Sequence, residues 1–189
     1  MVMTEKTRIN RVVTRTGDTG QSGLADGSRL SKASLVFELM GALDELNVRV
    51  GFLLNAVAEE FRPLLTDIQQ RLFDLGAELA VPGSCFLVEQ QVAALEEVLA
   101  DLNDKLPPLT EFVLPRGNGA ALQAHSCRTQ ARLAERLWVG YLEQKTDLNP
   151  LGLMFLNRLS DFFFVLARFL NQSSNQEGAP ELQWQNPSR

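Results

Sequence analysis

Two segments of the chain carry residue types suited to a polyanion. Along residues 127–136, Arg128, Arg132 and Glu135 fall at i, i+4 and i+7, within one narrow arc of a helix, and Arg136 flanks them. Arginines one turn apart present paired guanidinium forks, a geometry that fits phosphate oxygens. The alternative is a solvated face laced with helix-stabilising Arg–Glu pairs, and the arc taken alone favours that alternative. The second segment, Thr14-Arg-Thr-Gly-Asp-Thr-Gly-Gln-Ser22, offers backbone N–H groups and hydroxyls able to wrap a phosphate chain. It is no Walker A loop, because no Gly-Lys-Ser/Thr follows at the required spacing. Lys32, just beyond it, adds a point positive charge. A third set is Asn157, Asp161 and Arg168, a polar stripe on a run rich in Phe and Leu. Buried polar groups there would need partners, so Asn157 and Asp161 could hold a nucleotide or a neighbouring arginine. The exposed side of an outer helix accounts for them equally well.

The rest of the inventory removes several chemistries. One histidine, His125, and two cysteines, Cys85 and Cys127, exclude an all-Cys/His zinc site and a disulfide framework. A Ser–His–acid site would rest on His125 alone. His125 lacks the Glu-x-x-His partner of di-iron bundles and reads as a packing residue; both cysteines read as small apolar residues, and no metal-ligating set is found. A net charge of −5 and a pI of about 5.0 argue against a nucleic-acid binder. They leave room for a local cationic pocket.

Positioning these residues falls to helices. The 189 residues are 45% hydrophobic, enough for one domain with a substantial core. From Ser31 to about Ala58, Val36, Leu39, Leu43, Leu46, Val50, Leu53 and Leu54 form one stripe, opposite Glu38, Glu45 and Arg49. Pro63 suits a first helical turn, and Leu64 to Leu79 continues the period until Val81-Pro-Gly-Ser84 stops it. Further helices are expected over Glu89–Leu102, Gly119–Leu142 and Leu151–Leu170. On the fourth, Leu122, Leu133 and Leu137 are expected to face away from the arginines. No strand pair and no internal repeat stand out. The expectation is an all-α fold, a five-helix bundle of the left-handed up-and-down type. It divides into a Gly-rich loop segment at 1–30, a bundle at 31–171 forming one domain with it, and a polar tail at 172–189, which Leu182 and Trp184 could dock. No export signal or membrane span is legible, so a cytoplasmic protein is expected.

Taken in order, the segments resemble the PduO-type ATP:cob(I)alamin adenosyltransferases. The resemblance runs from Thr14 to about Asn171. Its pieces are Thr14-Arg-Thr-Gly-Asp-Thr-Gly20, Asp26-Gly-Ser-Arg29 with Lys32, Asp44-Glu-Leu-Asn47, Phe73-Asp-Leu-Gly-Ala-Glu-Leu-Ala80 and Phe112-Val-Leu-Pro115. Arg128-x-x-x-Arg132-x-x-Glu135-Arg136 and Asn157-Arg-Leu-Ser-Asp161 complete it.

The resemblance implies a homotrimer with active sites between subunits, transferring the 5′-deoxyadenosyl group of ATP to the cobalt of reduced cobalamin with release of triphosphate. It implies that Thr14, Arg15, Thr16, Gly17, Asp18, Ser22 and Lys32 form the ATP-binding loop. Arg132, Glu135, Arg136, Asn157 and Asp161 are the implied nucleotide-binding residues of the last two helices. Asp44 and Arg128 correspond to a salt bridge across the subunit interface, and Phe112 to the aromatic residue that helps displace cobalamin's lower ligand. Magnesium would sit mainly on the triphosphate. A cobalamin reductase and an adenosylcobalamin-dependent client enzyme are the implied partners, with neither nucleic acid nor membrane among them. A non-catalytic ATP or cobalamin carrier is the alternative function, and a structural helical oligomer a third. The sequence departs from the family's habit at Thr19, at Leu133 and at Pro115-Arg-Gly-Asn118, places that bear on ATP affinity and on the approach of the corrin ring.

Overall fold

A computed structural model describes residues 13–81, 83–145, 148–173, 181–185 and 187. Five helices carry the fold: α1 (Leu35–Leu54), α2 (Arg62–Ala80), α3 (Glu89–Asn103), α4 (Gly119–Leu142) and α5 (Pro150–Ser173). α4 lies between α1 and α5, α2 packs on α1, and α3 packs on α5. One continuous apolar core unites them, with Leu39, Leu46, Leu65, Leu72, Trp138, Phe155 and Phe162 among its innermost side chains. No helix of the described residues is long and apolar enough to cross a membrane.

Local chemistry explains each boundary. α1 starts at Leu35 rather than Ser31, because Ser31 pairs with Gln21 in a two-stranded antiparallel ribbon, β1 (Gln21–Gly23) and β2 (Arg29–Ser31). Strands of three residues are too short to show an alternating pattern, which is why the sequence shows no strand pair there. α1 ends at Leu54, where the Arg62 guanidinium donates to the Leu54 carbonyl (3.4 and 3.3 Å). Such a cation complements the negative end of a helix. Pro63 occupies the first turn of α2, as expected. Gln91 accepts from the Val88 N–H at 2.8 Å, closing the start of α3. Asn118 caps α4 by accepting from Ala121 N–H (2.8 Å) and donates to the Leu170 carbonyl of α5 (2.8 Å).

α4 packs differently from the leucine pattern. Its buried face is Ala121, Ala124, His125, Cys127, Gln130, Ala131, Ala134 and Trp138, whereas Leu122 is exposed and Leu133 and Leu137 are half-buried. Small side chains let α1 and α5 approach on both sides. α5 comes so close that a Cβ at Gly152 would fall within the Trp138 indole. The polar stripe of α5 divides likewise: Asp161 is exposed, Asn157 half-buried and Arg168 buried.

The stretch read as a tail is partly docked. α5 continues to Ser173, and residues 181–185 lie against the connection between α3 and α4, where Val113 and Gln183 form an antiparallel bridge. Glu181 pairs with Arg168, and Trp184 covers one side of Phe112.

Candidate functional site

The N-terminal loop is shaped by its backbone. Asp18 N–H donates to Arg15 O (3.4 Å), Gly20 N–H to Gly17 O (3.2 Å) and Lys32 N–H to Gly20 O (2.9 Å). Arg15 adopts φ 59°, a left-handed conformation uncommon outside glycine and enriched where loops grip ligands. Thr14 and Thr16 share a hydroxyl hydrogen bond at 3.0 Å. Arg29 braces the turn from outside, donating from Nη2 to Thr16 O (2.6 Å) and Gln21 O (3.3 Å). The Lys32 ammonium lies so near Gly17 that a Cβ there would sit 2.9 Å from Nζ. A side chain at residue 17 would therefore push the lysine ammonium away from its present place against the loop.

The result is one open polar concavity of about 540 Å³, lined by Val13, Thr14, Arg15, Thr16, Gly17, Asp18, Ser22 and Lys32. All seven loop residues singled out in the sequence thus meet in one place. Its hydroxyls and cations suit phosphate oxygens far better than an apolar ligand. The ribbon behind it is fixed to the bundle by Ala25 N–H, which donates to Ala80 O at 2.9 Å.

The α4–α5 stripe forms a second polar surface. Asn157 donates from Nδ2 to Glu135 Oε1 at 2.9 Å and accepts at Oδ1 from Arg158 Nη1 at 2.8 Å. Arg158 in turn donates from Nε to Glu96 Oε1 at 2.6 Å, tying α4, α5 and α3 together. Glu96 and Arg158 went unassigned in the sequence because each alone reads as an ordinary surface charge. Arg132 and Arg136 are exposed, and Arg136 donates to the Arg132 carbonyl at 2.9 Å. Arg128 is half-buried and its Nε is buried without a partner. Burial, reinforced by the Arg132 charge, lowers its pKa. Asp44 is exposed on α1, and no ion pair among the described residues joins it to Arg128. In the single chain, no α4 or α5 residue lines the loop concavity. The two polar surfaces are therefore separate within one molecule.

Phe112 projects from the α3–α4 connection at 78% exposure, its ring 6.5 Å from that of Trp184. With Leu109, Thr110, Glu111 and Phe164 it lines an open hollow of about 370 Å³. The sequence marks Trp184 as a residue able to dock the tail, but nothing local to it names Phe112 as its neighbour.

Cys127 and His125 are chemically quiet. Burial pushes the Cys127 thiol up to about 12. Burial, and then the Arg128 charge, brings His125 down to about 4 against a weaker opposing pull from Glu181. His125 packs on Phe164, ring centroids 6.4 Å apart, with Nδ1 buried and unpartnered. Cys85, read as a small apolar residue, is instead exposed. Among the described residues, no cluster of three His, Cys, Asp or Glu is placed to hold a metal ion.

Comparison with known proteins adds four findings. The family described as cobalamin adenosyltransferase matches residues 12–170. The chain is 47% identical over 180 residues to a cobalamin adenosyltransferase of Cupriavidus metallidurans, covering 94% of this chain and 96% of that protein. It is 38% identical over 184 residues to a corrinoid adenosyltransferase of Homo sapiens, covering 90% of this chain and 73% of that protein. Among solved structures, it resembles a variant PduO-type ATP:corrinoid adenosyltransferase from Lactobacillus reuteri complexed with cobalamin and ATP. That match has a TM-score of 0.85 at 33% identity, covering 93% of this chain and 97% of the other.

Proposed function

The chain belongs to the cobalamin adenosyltransferase family, and from that membership we propose its reaction. It transfers the 5′-deoxyadenosyl group of ATP to the cobalt of cob(I)alamin, giving adenosylcobalamin and triphosphate in cobalamin salvage or assimilation. The observation that carries this reading is that residues 12–170 match the family, a span that includes both the loop concavity and the arginine stripe.

The chemistry suits this inventory of side chains. Cobalt(I) attacks C5′, the cobalt–carbon bond forms as the C5′–oxygen bond breaks, and the electron pair departs on triphosphate. The substrate is the nucleophile, so the chain's work is to bind, orient and stabilise. A thiol near 12 and an imidazole near 4 are idle at neutral pH, and nothing in this reaction calls on them.

Each polar surface takes one part of the work. Thr14, Arg15, Thr16, Gly17, Asp18, Ser22 and Lys32 hold the triphosphate. Arg132 and Arg136 stabilise the negative charge that gathers there as the bond breaks. Glu135, Asn157 and Asp161 hold the nucleoside end, Asn157 being oriented by Glu135 and Arg158. Mg2+ would ride on the triphosphate oxygens and neutralise part of their charge. Phe112 acts as an apolar wedge that displaces cobalamin's lower ligand and so makes cobalt(II) easier to reduce.

The reading extends to a homotrimer with sites between neighbouring copies. Three observations support it. The loop concavity holds no α4 or α5 residue of its own chain. Half-buried Arg128 makes no ion pair among the described residues, and Asp44 of an adjacent copy would supply its carboxylate partner. Exposed Val48 and Phe52 border a groove between α1 and α4 whose other lining residues are Glu45, Arg49, Gln123 and Ser126, an apolar pair with a polar rim suited to contact with another copy. A cytoplasmic setting follows from the same reading, with a reductase supplying cobalt(I) and a client enzyme taking the product.

Anaerobic incubation with ATP, Mg2+ and chemically reduced cobalamin tests the reaction. The expected result is the adenosylcobalamin spectrum accumulating over many turnovers. Tight binding of ATP and corrinoid with no cobalt–carbon product would instead identify a carrier.

A further inference from the structure

Phe112 is held in place by something other than the bundle core. Its side chain is largely exposed, and its connection has no helix of its own. Residues 181–185 run alongside it as a strap. Trp184 N–H donates to Phe112 O at 2.7 Å, Leu114 N–H donates to Leu182 O at 2.8 Å, and Thr110 Oγ1–H donates to Gln183 Oε1 at 2.9 Å. One side chain then fastens both pieces to α5. Arg168, only 4% exposed, donates from Nε to Glu181 Oε1 (2.8 Å) and from Nη2 to Glu181 Oε2 (3.2 Å). The same Nη2 donates to Pro107 O at 2.8 Å, at the entry to the Phe112 connection.

A guanidinium at that depth is strongly disfavoured unless a carboxylate and further acceptors meet it. Glu181 and the Pro107 carbonyl are those partners, so seating the strap and seating the connection are coupled through one charge. A two-pronged Arg–carboxylate contact also fixes direction, which a lone ammonium would not. The hollow beside Phe112 is lined by connection residues and Phe164, so its shape follows where the strap holds the connection.

We propose that Arg168 and Glu181 are positioning residues for the corrinoid half of the reaction, latching the strap so that the Phe112 ring is held where it displaces the lower ligand. This rests on the role of Phe112 given above. Arg168 and Glu181 neither line the loop concavity nor belong to the α4–α5 residues assigned above to the nucleotide, so the latch is expected to act on the corrinoid half.

The test uses the full chain, with Glu181→Gln removing the charge at nearly constant shape and Trp184→Ala removing the ring while keeping the ion pair. Three quantities are measured: ATP affinity, kcat/KM for corrinoid, and the fraction of bound cob(II)alamin freed of its lower ligand, read by electron paramagnetic resonance with ATP present. Both variants should lose about tenfold in kcat/KM for corrinoid and in the freed fraction, with ATP affinity unchanged. Glu181→Asp should recover part of the loss. Combining Glu181→Gln with Phe112→Ala should be no worse than Phe112→Ala alone, since a latch that works through Phe112 has nothing left to hold. If Glu181→Gln does not fold, Trp184→Ala decides, and wild-type values there overturn the proposal. So do losses that multiply in the double variant, or losses that fall equally on ATP. An active wild type beside an unaltered Glu181→Gln overturns the latch alone. A wild type that forms no adenosylcobalamin overturns the reaction and the latch together.

Discussion

Arg132 and His125 sit two turns apart on α4 and define opposite kinds of residue. Arg132 is exposed, and none of the ion pairs among the described residues engages it, so its fork is available to a phosphate. Arg132→Ala should lower turnover by about 10²- to 10³-fold, the loss typical of removing one charge-stabilising donor. Its thermal midpoint should stay at the wild-type value, and a variant that turns over normally would remove Arg132 from the phosphate clamp. His125 is buried and neutral, with its pKa at about 4 against an ordinary 6.5. Between those values the unfolded chain binds the proton and the folded chain does not, so stability rises with pH. The contribution is complete above pH 6.5 and drains away as pH falls towards 4. Urea midpoints measured from pH 7.5 to 4.5 should therefore fall more steeply for the wild type than for His125→Gln. Parallel profiles would show that His125 is not the titrating group.

At the scale of elements, α4 and α5 are set by contacts that leave little slack. Gly152→Ala places a methyl group in the Trp138 indole and should destabilise the fold by about 1–3 kcal/mol, as overpacking does. Chemical denaturation checks this, and an unchanged midpoint would mean the two helices can part freely. The five helices were legible because their apolar residues recur at helical spacing, and Pro63 marked a start that the structure keeps. Other features were not. The leucines of α4 do not mark its buried face, because alanines and Trp138 form that side. The ribbon at Gln21–Gly23 was too short to signal, and Ser31 looked helical until it was paired with Gln21. The departure at Pro115-Arg-Gly-Asn118 gains a physical reason only in three dimensions: Asn118 caps α4 and bonds to α5. The loop from Thr14 to Ser22 and Lys32 are legible from their residue types, the seven ATP-binding positions among them follow from the resemblance, and folding brings those seven to one concavity. Trp184, Glu181 and the full burial of Arg168 depend on contacts between distant parts of the chain, which no local pattern encodes.

For the whole molecule, a net charge of −5 conceals a cationic side made by Arg128, Arg132 and Arg136 on one surface and Lys32 on another. If the site is built between copies, loop and stripe from different chains should complement each other. Mixing inactive Lys32→Ala and Arg132→Ala chains and reassembling them should restore about a quarter of wild-type activity, the share of interfaces that pair two intact surfaces. No recovery on mixing would place the whole site within one chain. The central claim is that the chain makes a cobalt–carbon bond and ejects an intact triphosphate. ATP labelled with carbon-13 at C5′, turned over anaerobically with cob(I)alamin and followed by nuclear magnetic resonance, tests it most directly. The expected result is the label bonded to cobalt with one triphosphate released per corrinoid. Label recovered in unchanged ATP, or released without a cobalt bond, would contradict it.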